Sequence, residues 1–332
     1  MRKYHRVLRI LCAALALGLL AGVCLQAGLA TPAEPKVKVR LGALKGPTAL
    51  GALQLAATKG DVYDLQLAGA PDEMVAALAS GQVDIAALPT NLAPTLYNKT
   101  QGGVRLLALN TLGVLYVLQR GDTVQSVADL AGKTLLATGQ GATPEYTINY
   151  ILAQAGLTDK VTVAYKAEHA ELATLLAAGQ TDLALLPEPF VTTVRTQDPD
   201  IRVALDVTEA FEQAAKQDEE APGAVLSMGC WVVRAAFAAQ NPQAVADFLR
   251  DYAESAAFVN ADPAQAAKWA VALGVLPSEQ VAAQAIPGCH IVSVSGAEMK
   301  AQIAPLLQIW YRANPASIGG ALPGDDFYYA AP

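Results

Sequence analysis

Apolar and polar positions follow two different periods along this chain. Lys38-Val-Arg-Leu-Gly-Ala43 alternates charged and apolar residues, the two-residue period of a short strand. Gly46-Pro47-Thr48 then opens an Ala- and Leu-rich stretch predicted as a helix through Ala57. Leu65 to Ala68 reads as a second strand. From Pro71-Asp72-Glu73 onward, Met74, Val75 and Leu78 recur at helical spacing until Ser80-Gly81 stops them. Val83 to Leu88 is a buried strand closed by Pro89. Strand and helix in alternation predict an α/β fold with a parallel sheet and crossover helices.

The same grammar then returns. Met74–Leu96 (MVAALASGQVDIAALPTNLAPTL) and Leu172–Val194 (LATLLAAGQTDLALLPEPFVTTV) align at a constant offset of 98 residues. Gly81, Gln82, Asp84, Ala86, Leu88 and Pro89 fall on Gly179, Gln180, Asp182, Ala184, Leu186 and Pro187. At an offset of 95, Lys38, Leu41, Gly46 and Thr48 fall on Lys133, Leu136, Gly141 and Thr143. A polar Gly-Gln-x-Asp core held in register argues against a chance match of apolar strands, so two similar lobes are expected. Glycine ends each helix in a left-handed cap, and proline makes the chain leave the sheet at the strand's carboxyl end, where ligands of open α/β sheets bind. Beyond the second copy, Val225–Arg234 reads as a strand. Helix starts follow at Asn241-Pro242, Asp262-Pro263 and Ser295-Gly-Ala-Glu298, the last with capping-box spacing. The expected lobes are residues 37–112 plus 205–332, and residues 113–204. The Gly-, Pro- and Tyr-rich tail from Asn314 reads as an ordered strap.

The first 36 residues change the picture. Arg2, Lys3, Arg6 and Arg9 precede an apolar run from Ile10 to Leu25, and Gly28-Leu29-Ala30 supplies small residues, the pattern of an export signal. Three fates stay open for residues 1–30: cleavage near Ala30, lipidation at Cys24, or retention as an anchor helix. Residues 31–36 are a Pro-containing linker. Without residues 1–30 the chain carries 19 Lys+Arg against 30 Asp+Glu, a net charge of −11, which repels phosphate backbones and argues against nucleic acid. Cys230 and Cys289 remain as an even pair; in an oxidising compartment they are predicted to form a disulfide, with two buried free thiols as the alternative. No metal-ligand spacing is present, and neither a metal nor a cofactor is expected.

Three runs, ALPTNLAPTLYNKTQGGVRLLALNTLGVLYVL, TGQGATPEYTINY and LLPEPFVTTV, resemble the ABC-importer solute-binding proteins of the nitrate/sulfonate/taurine class, relatives of the binding proteins for thiamine-pyrimidine precursors. The resemblance spans roughly residues 37 to 330. It implies a type II periplasmic-binding fold with a ligand in the cleft between two lobes. It further implies an exported, monomeric protein that hands a small polar or anionic organic solute to a permease and ATPase, and not an enzyme. Two alternatives stay open: an enzyme of menaquinone or thiamine-pyrimidine type on the same fold, or a ligand sensor without transport.

Facing lobes would line the cleft with strand ends and the helix starts that follow them. In the first lobe these are Lys45, Gly46, Pro47, Thr48, Pro89, Thr90, Asn91, Asn110 and Thr111. In the second they are Gly139, Gln140, Gly141, Ala142, Thr143 and Glu188, with His169 at the rim. Helix N-termini offer unpaired N–H groups to acceptor-rich ligands, and glycine lets the backbone come close. Each choice has a plainer explanation: Thr48 and Thr143 as helix caps, Asn91 as an N-cap, Glu188 as a helix start, and Lys45 as a solvated loop charge. No arginine occurs in these loops, so bidentate recognition of a phosphate or sulfonate is not evident.

Overall fold

In the computed structural model, which describes residues 37–221 and 223–330, the alternation of strand and helix begins with the first element. The chain runs β1 (Val39–Leu44), α1 (Pro47–Leu50), α2 (Leu53–Thr58), β2 (Tyr63–Ala68), α3 (Pro71–Ser80), β3 (Ile85–Pro89), α4 (Leu92–Lys99) and β4 (Val104–Leu112). It then crosses into β5 (Leu115–Arg120), β6 (Thr134–Thr138), α5 (Thr143–Gln154), β7 (Thr162–Lys166), α6 (His169–Ala177), β8 (Leu183–Pro187), α7 (Phe190–Gln197), β9 (Ile201–Asp206) and α8 (Val207–Ala215). It returns through β10 (Ser227–Arg234), α9 (Ala235–Gln240), α10 (Pro242–Ala261), α11 (Pro263–Ala272), α12 (Glu279–Ala285), β11 (Ile291–Ser295) and α13 (Gly296–Ala313). The leader, the linker and Cys24 lie outside the described residues. Among those described, no helix is long and apolar enough to cross a membrane.

Two sheets result, ordered β11-β4-β10-β3-β1-β2 and β7-β6-β8-β5-β9. Stripped of β11, they have the same plan, with β10 and β5 in equivalent places. The sheets are mixed where the sequence predicted parallel ones: β10 runs antiparallel to β3 and β4, and β5 antiparallel to β8 and β9. Connectivity is the cause. A strand that enters from the other lobe starts at the edge where its neighbours end, so it must run the opposite way. The second sheet keeps β9 to Asp206, past the expected 204/205 boundary, and α8 packs on α5 and β5.

The Gly-Gln-x-Asp motif is built for the sheet. Gly81 takes φ 78°, and its N–H reaches back to the end of α3. Asp84, 2% exposed, accepts from Arg40 Nε (2.9 Å), Arg40 Nη2 (2.5 Å), the Arg40 N–H (3.1 Å) and Arg234 Nη2 (2.7 Å). Burial works to raise its pKa, and these hydrogen bonds outweigh burial and hold it below the usual carboxylate range. One carboxylate thus pins β1, β3 and β10 at the end of the sheet remote from the strand-end loops.

Three local expectations change. The helix predicted from Pro47 to Ala57 is two short helices broken at Gly51, where a Cβ would meet the Tyr252 hydroxyl and Ile291. Ser295 makes no side-chain cap on α13, since it is still paired to Ala108 in the sheet, and Glu298 accepts from Gln302 instead. The predicted Cys230–Cys289 disulfide is not formed: both cysteines are free and buried. Strand alternation explains it. Cys230 and Val232 enter the core on one face of the first sheet, whereas Trp231 and Val233 enter the core on the other face, and Cys289 belongs to the latter. The tail does form a strap: Ile318 and Phe327 are buried, and the Tyr329 N–H bonds the Leu106 carbonyl.

Chemical denaturation should show Asp84→Ala losing about 3 kcal/mol, the scale of breaking a buried ion pair. The repeat counterpart Asp182 is exposed, and its alanine variant should stay within about 0.5 kcal/mol of the parent. Thiol titration should detect neither cysteine in the folded protein and both after unfolding.

Candidate functional site

At the carboxyl ends of β1, β3 and β4 a group of neutral polar side chains is buried with the start of β10. Thr90 Oγ1 lies 3.0 Å from Ser227 Oγ, which also donates toward the Gly229 and Thr111 carbonyls. The Thr111 hydroxyl donates to Asn110 Oδ1 at 2.9 Å, and Asn110 Nδ2 reaches the Thr48 carbonyl at 3.5 Å. Thr90, Asn110, Thr111 and Ser227 are all at most 1% exposed. The chain of hydrogen bonds ends at the Thr48 carbonyl, while the hydroxyl of the same residue, Thr48 Oγ1, is buried and without a partner. Only glycine fits at 229, because a Cβ there would lie 2.4 Å from Asn110 Oδ1 and 2.7 Å from Thr48 Cγ2.

The second lobe meets this group through Asn91. Asn91 Nδ2 donates to the Gly141 carbonyl and to the Ser317 carbonyl, each at 3.2 Å, and Asn91 Oδ1 accepts from the Thr143 hydroxyl at 3.2 Å. The plain capping explanations therefore fail at three positions: Thr48 and Thr143 lie inside their helices and cap neither, and Asn91 makes no side-chain cap on α4.

Glu188 divides between its two readings. Its Oε2 accepts the Thr192 N–H at 3.0 Å and its Oε1 the Thr192 hydroxyl at 2.9 Å, so it does open α7. It also faces the first lobe, within van der Waals reach of where a Gly288 Cβ would stand. Burial raises its pKa, offset in part by the Thr192 bonds. His169 is drawn into the second lobe: its Nδ1 pairs with Thr138 Oγ1 at 2.5 Å and its ring packs on Phe190. Burial pushes its pKa down to about 4.

The structure brings Thr48, Thr90, Asn91, Asn110, Thr111, Gly141 and Thr143 together. Gly46, Pro47, Pro89 and Ala142 are backbone neighbours that turn the chain there. Lys45 and Gln140 are exposed, and Gly139 packs against Pro144. Ser227, Gly229 and Thr138 escaped the sequence reading. The available signal was small polar residues inside an otherwise apolar strand, SMGCWVV. Among the described residues, no group of three or more His, Cys, Asp or Glu is placed to hold a metal ion.

Residues 54–274 match the family model described as "ABC transporter, phosphonate, periplasmic substrate-binding protein". No curated protein sequence matches the chain. Solved structures with a similar fold include an ABC transporter protein from Parabacteroides distasonis (21% identity, TM-score 0.73, 89% of this chain and 99% of that one). The periplasmic aliphatic sulphonate binding protein SsuA from Escherichia coli is similar at 18% identity and TM-score 0.66, covering 86% and 96%. The alkanesulfonate-binding protein SsuA from Xanthomonas axonopodis pv. citri, bound to MOPS, is similar at 18% identity and TM-score 0.63, covering 87% and 96%.

The imidazole of His169 generates a signed pH test. Its folded pKa of about 4 lies below the ordinary imidazole value of 6.5, so the unfolded chain binds the proton more tightly. Stability attached to the neutral ring is complete above pH 6.5 and is lost as pH falls through 6.5 toward 4. Thermal melts across that window should fall more steeply for the parent than for His169→Gln, and equal slopes would contradict the burial argument.

Proposed function

The chain belongs to the phosphonate family of ABC-transporter periplasmic substrate-binding proteins, and we propose that the neutral strand-end cluster is where it captures its solute. One observation carries this reading: Thr48 Oγ1 is buried with nothing to bond, on the residue whose backbone carbonyl receives the Asn110 amide. A buried hydroxyl without a partner costs on the order of 1–3 kcal/mol, and a ligand acceptor placed there recovers it. The exact set of contacts proposed is Thr48, Asn110 and the N-terminal backbone of α5, with Thr90, Thr111 and Ser227 orienting them.

The solute proposed is small and has two chemically different ends. Neutral hydroxyls, an amide and a helix start suit a sulfonate or an acceptor-rich ring. Lys45 is exposed and no arginine enters the cluster, so a doubly charged phosphonate would find no buried counter-charge. Glu188 keeps a carboxylate at the same junction and favours a donor or cationic group on the other end, as in an amino-sulfonate or an aminopyrimidine. MOPS, found on the Xanthomonas protein, combines a sulfonate with an amine.

Capture is proposed to close lobes of about residues 37–112 plus the chain after the return, and the segment between them. The first crossing supports a hinge at Asn110–Gly113. There Leu112 N–H bonds the His290 carbonyl at 3.1 Å, His290 Nδ1 pairs with the Gly113 carbonyl, and a Cβ on Gly113 would strike the Thr208 hydroxyl. Because α8 packs on α5 and β5, the return belongs after residue 215. Only a ligand touching both lobes shifts such an equilibrium. We propose a monomer that delivers to a permease and ATPase, by recognition chemistry and not catalysis, tethered or released according to the fate of residues 1–30.

Calorimetry with MOPS, taurine, methylphosphonate, nitrate and an aminopyrimidine tests the reading. The best binder should lose about 1–3 kcal/mol on Thr48→Val, while the unliganded variant melts at the same temperature or higher, because it sheds an unpaired hydroxyl. Glu188→Gln should weaken the amine-bearing ligands and leave nitrate unchanged or improved. Wild-type binding of nitrate alone, indifferent to both changes, would end this assignment.

A further inference from the structure

Asn91 stands out among the site residues because it has nothing left to offer. A carboxamide has two N–H donors, and both are engaged: one on the Gly141 carbonyl, one on the Ser317 carbonyl. Its Oδ1 accepts from the Thr143 hydroxyl, and its backbone carbonyl accepts the Thr95 hydroxyl at 2.9 Å. The three partners of the side chain come from two places. Gly141 and Thr143 follow β6 in the second lobe, whereas Ser317 belongs to the C-terminal strap. Asn91, Thr143 and Ser317 are each at most 1% exposed. A ligand that took an Asn91 N–H would have to displace the Gly141 or the Ser317 carbonyl from a residue only 1% exposed, so exchange at this residue gains little.

We infer that Asn91 is a positioning residue that latches the two lobes, with the strap as its jig, and that it is not a ligand contact. This rests on the reading of the chain as a two-lobed capture protein. The strap is itself fixed to the first lobe. Asn98 Nδ2 donates to the Ile318 and Ala321 carbonyls at 2.9 and 2.7 Å, and Ser317 Oγ donates to the Trp310 carbonyl at 3.2 Å. At Gly319, with φ 83°, a Cβ would come within 2.8 Å of Thr95 Cα, so the strap lies directly on α4. One N–H of Asn91 is thereby committed to its own lobe, which fixes the amide plane and aims the remaining N–H and the oxygen across the gap.

The far side is prepared in the same way. Glu145 Oε2 accepts the Gly141 N–H at 2.6 Å, holding the residue whose carbonyl receives Asn91. Thr143 lies in the first turn of α5 with its hydroxyl free of any capping duty. Pre-oriented partners lose less freedom on joining, so closure through this contact costs less entropy than a contact between mobile side chains. The latch therefore sets the ratio of open to closed molecules before any ligand contributes, and ligand affinity is scaled by that ratio. The C-terminal segment acquires a part in capture that its distance along the chain conceals.

Distance measurement between spin labels tests this on the full chain without ligand. Labels go on Asp64→Cys and Asp159→Cys, exposed positions in the first and second lobes, with Cys230 and Cys289 buried and Cys12 and Cys24 replaced by serine. Asn91→Ala and Asn91→Asp should each raise the open-to-closed ratio roughly tenfold, the scale of one or two net hydrogen bonds. The aspartate has the same shape, no N–H donor, and a charge facing two carbonyls. Thr143→Val should give a smaller rise in the same direction, and Thr143→Ser, which retains the hydroxyl, should restore the parent distribution. If Asn91 variants fail to fold, the Thr143 pair carries the test alone. Unchanged distances in Asn91→Ala, Asn91→Asp and Thr143→Val overturn the latch. So does an Asn91→Ala protein that keeps its distances and loses binding of the ligand identified by calorimetry, since Asn91 would then be a contact. Failure of every solute to bind would sink the capture reading and leave the distance result standing on its own.

Discussion

The buried carboxylate of Asp84 and its two arginines hold the first lobe in register. Asp84 lies just ahead of β3, Arg40 within β1 and Arg234 at the end of β10, so the cluster joins a parallel pair to the antiparallel strand beside it. Strands are stiff, and a one-residue slip would turn every side chain to the opposite face. Fixing the three strands at one edge therefore fixes what appears at the other edge. There, Thr48 arrives within hydrogen-bonding reach of Asn110 and Thr90 within reach of Ser227, with Gly229 packed against the Asn110 side chain. The ion cluster is remote from the candidate site and still determines its geometry.

The second lobe solves the same problem with other residues. Its motif aspartate, Asp182, is exposed, and the position equivalent to Arg40 at the 95-residue offset is Leu135. With no guanidinium on β6 to receive it, burying Asp182 would strand a charge. The arginine survives: Arg120 on β5, the equivalent of β10, donates to the Leu176 and Ala177 carbonyls at the end of α6 and pairs with Asp198 at 2.6 Å. In both lobes the arginine covers the left-handed glycine, Arg234 beside Gly81 and Arg120 beside Gly179. The two lobes share the guanidinium and differ in the carboxylate that meets it.

Legibility in the sequence followed the range of the interaction. The repeat, the glycine caps and the loop positions are written in local pattern, and a strand-end proline announces where a chain must turn. The antiparallel insertion of β5 and β10 is a matter of which lobe a strand arrives from, and no local period encodes it. Cys230 and Cys289 illustrate the limit: an even count suggests a bridge, but the parity of Cys230 within β10 sends its thiol to the face away from Cys289. Thr48 and Thr143 were ambiguous between cap and contact because both uses favour the same residue type. Only the position of each, inside the first turn and not before it, separates them.

A site made of neutral groups has its own logic for a protein that must both take up and give back its solute. Burying hydroxyls and amides costs far less than burying charges, so lobe closure does not depend on a counter-ion being present. Polarity is still delivered. The Thr111 hydroxyl donates into Asn110 Oδ1, which leaves the carboxamide nitrogen as the donating end of the chain, directed toward the Thr48 carbonyl. Linked hydrogen bonds polarise one another in a low-dielectric interior, so the last donor is stronger than an isolated amide. On the proposed reading, this gives an acceptor-rich group a grip that is directional and still modest in depth. On the same reading Glu188, moderated by Thr192, would act by exclusion: a simple anion closing against it would leave a desolvated carboxylate beside like charge. Attraction by neutral dipoles on one side and repulsion by a carboxylate on the other would together define the proposed preference without any arginine in the cluster.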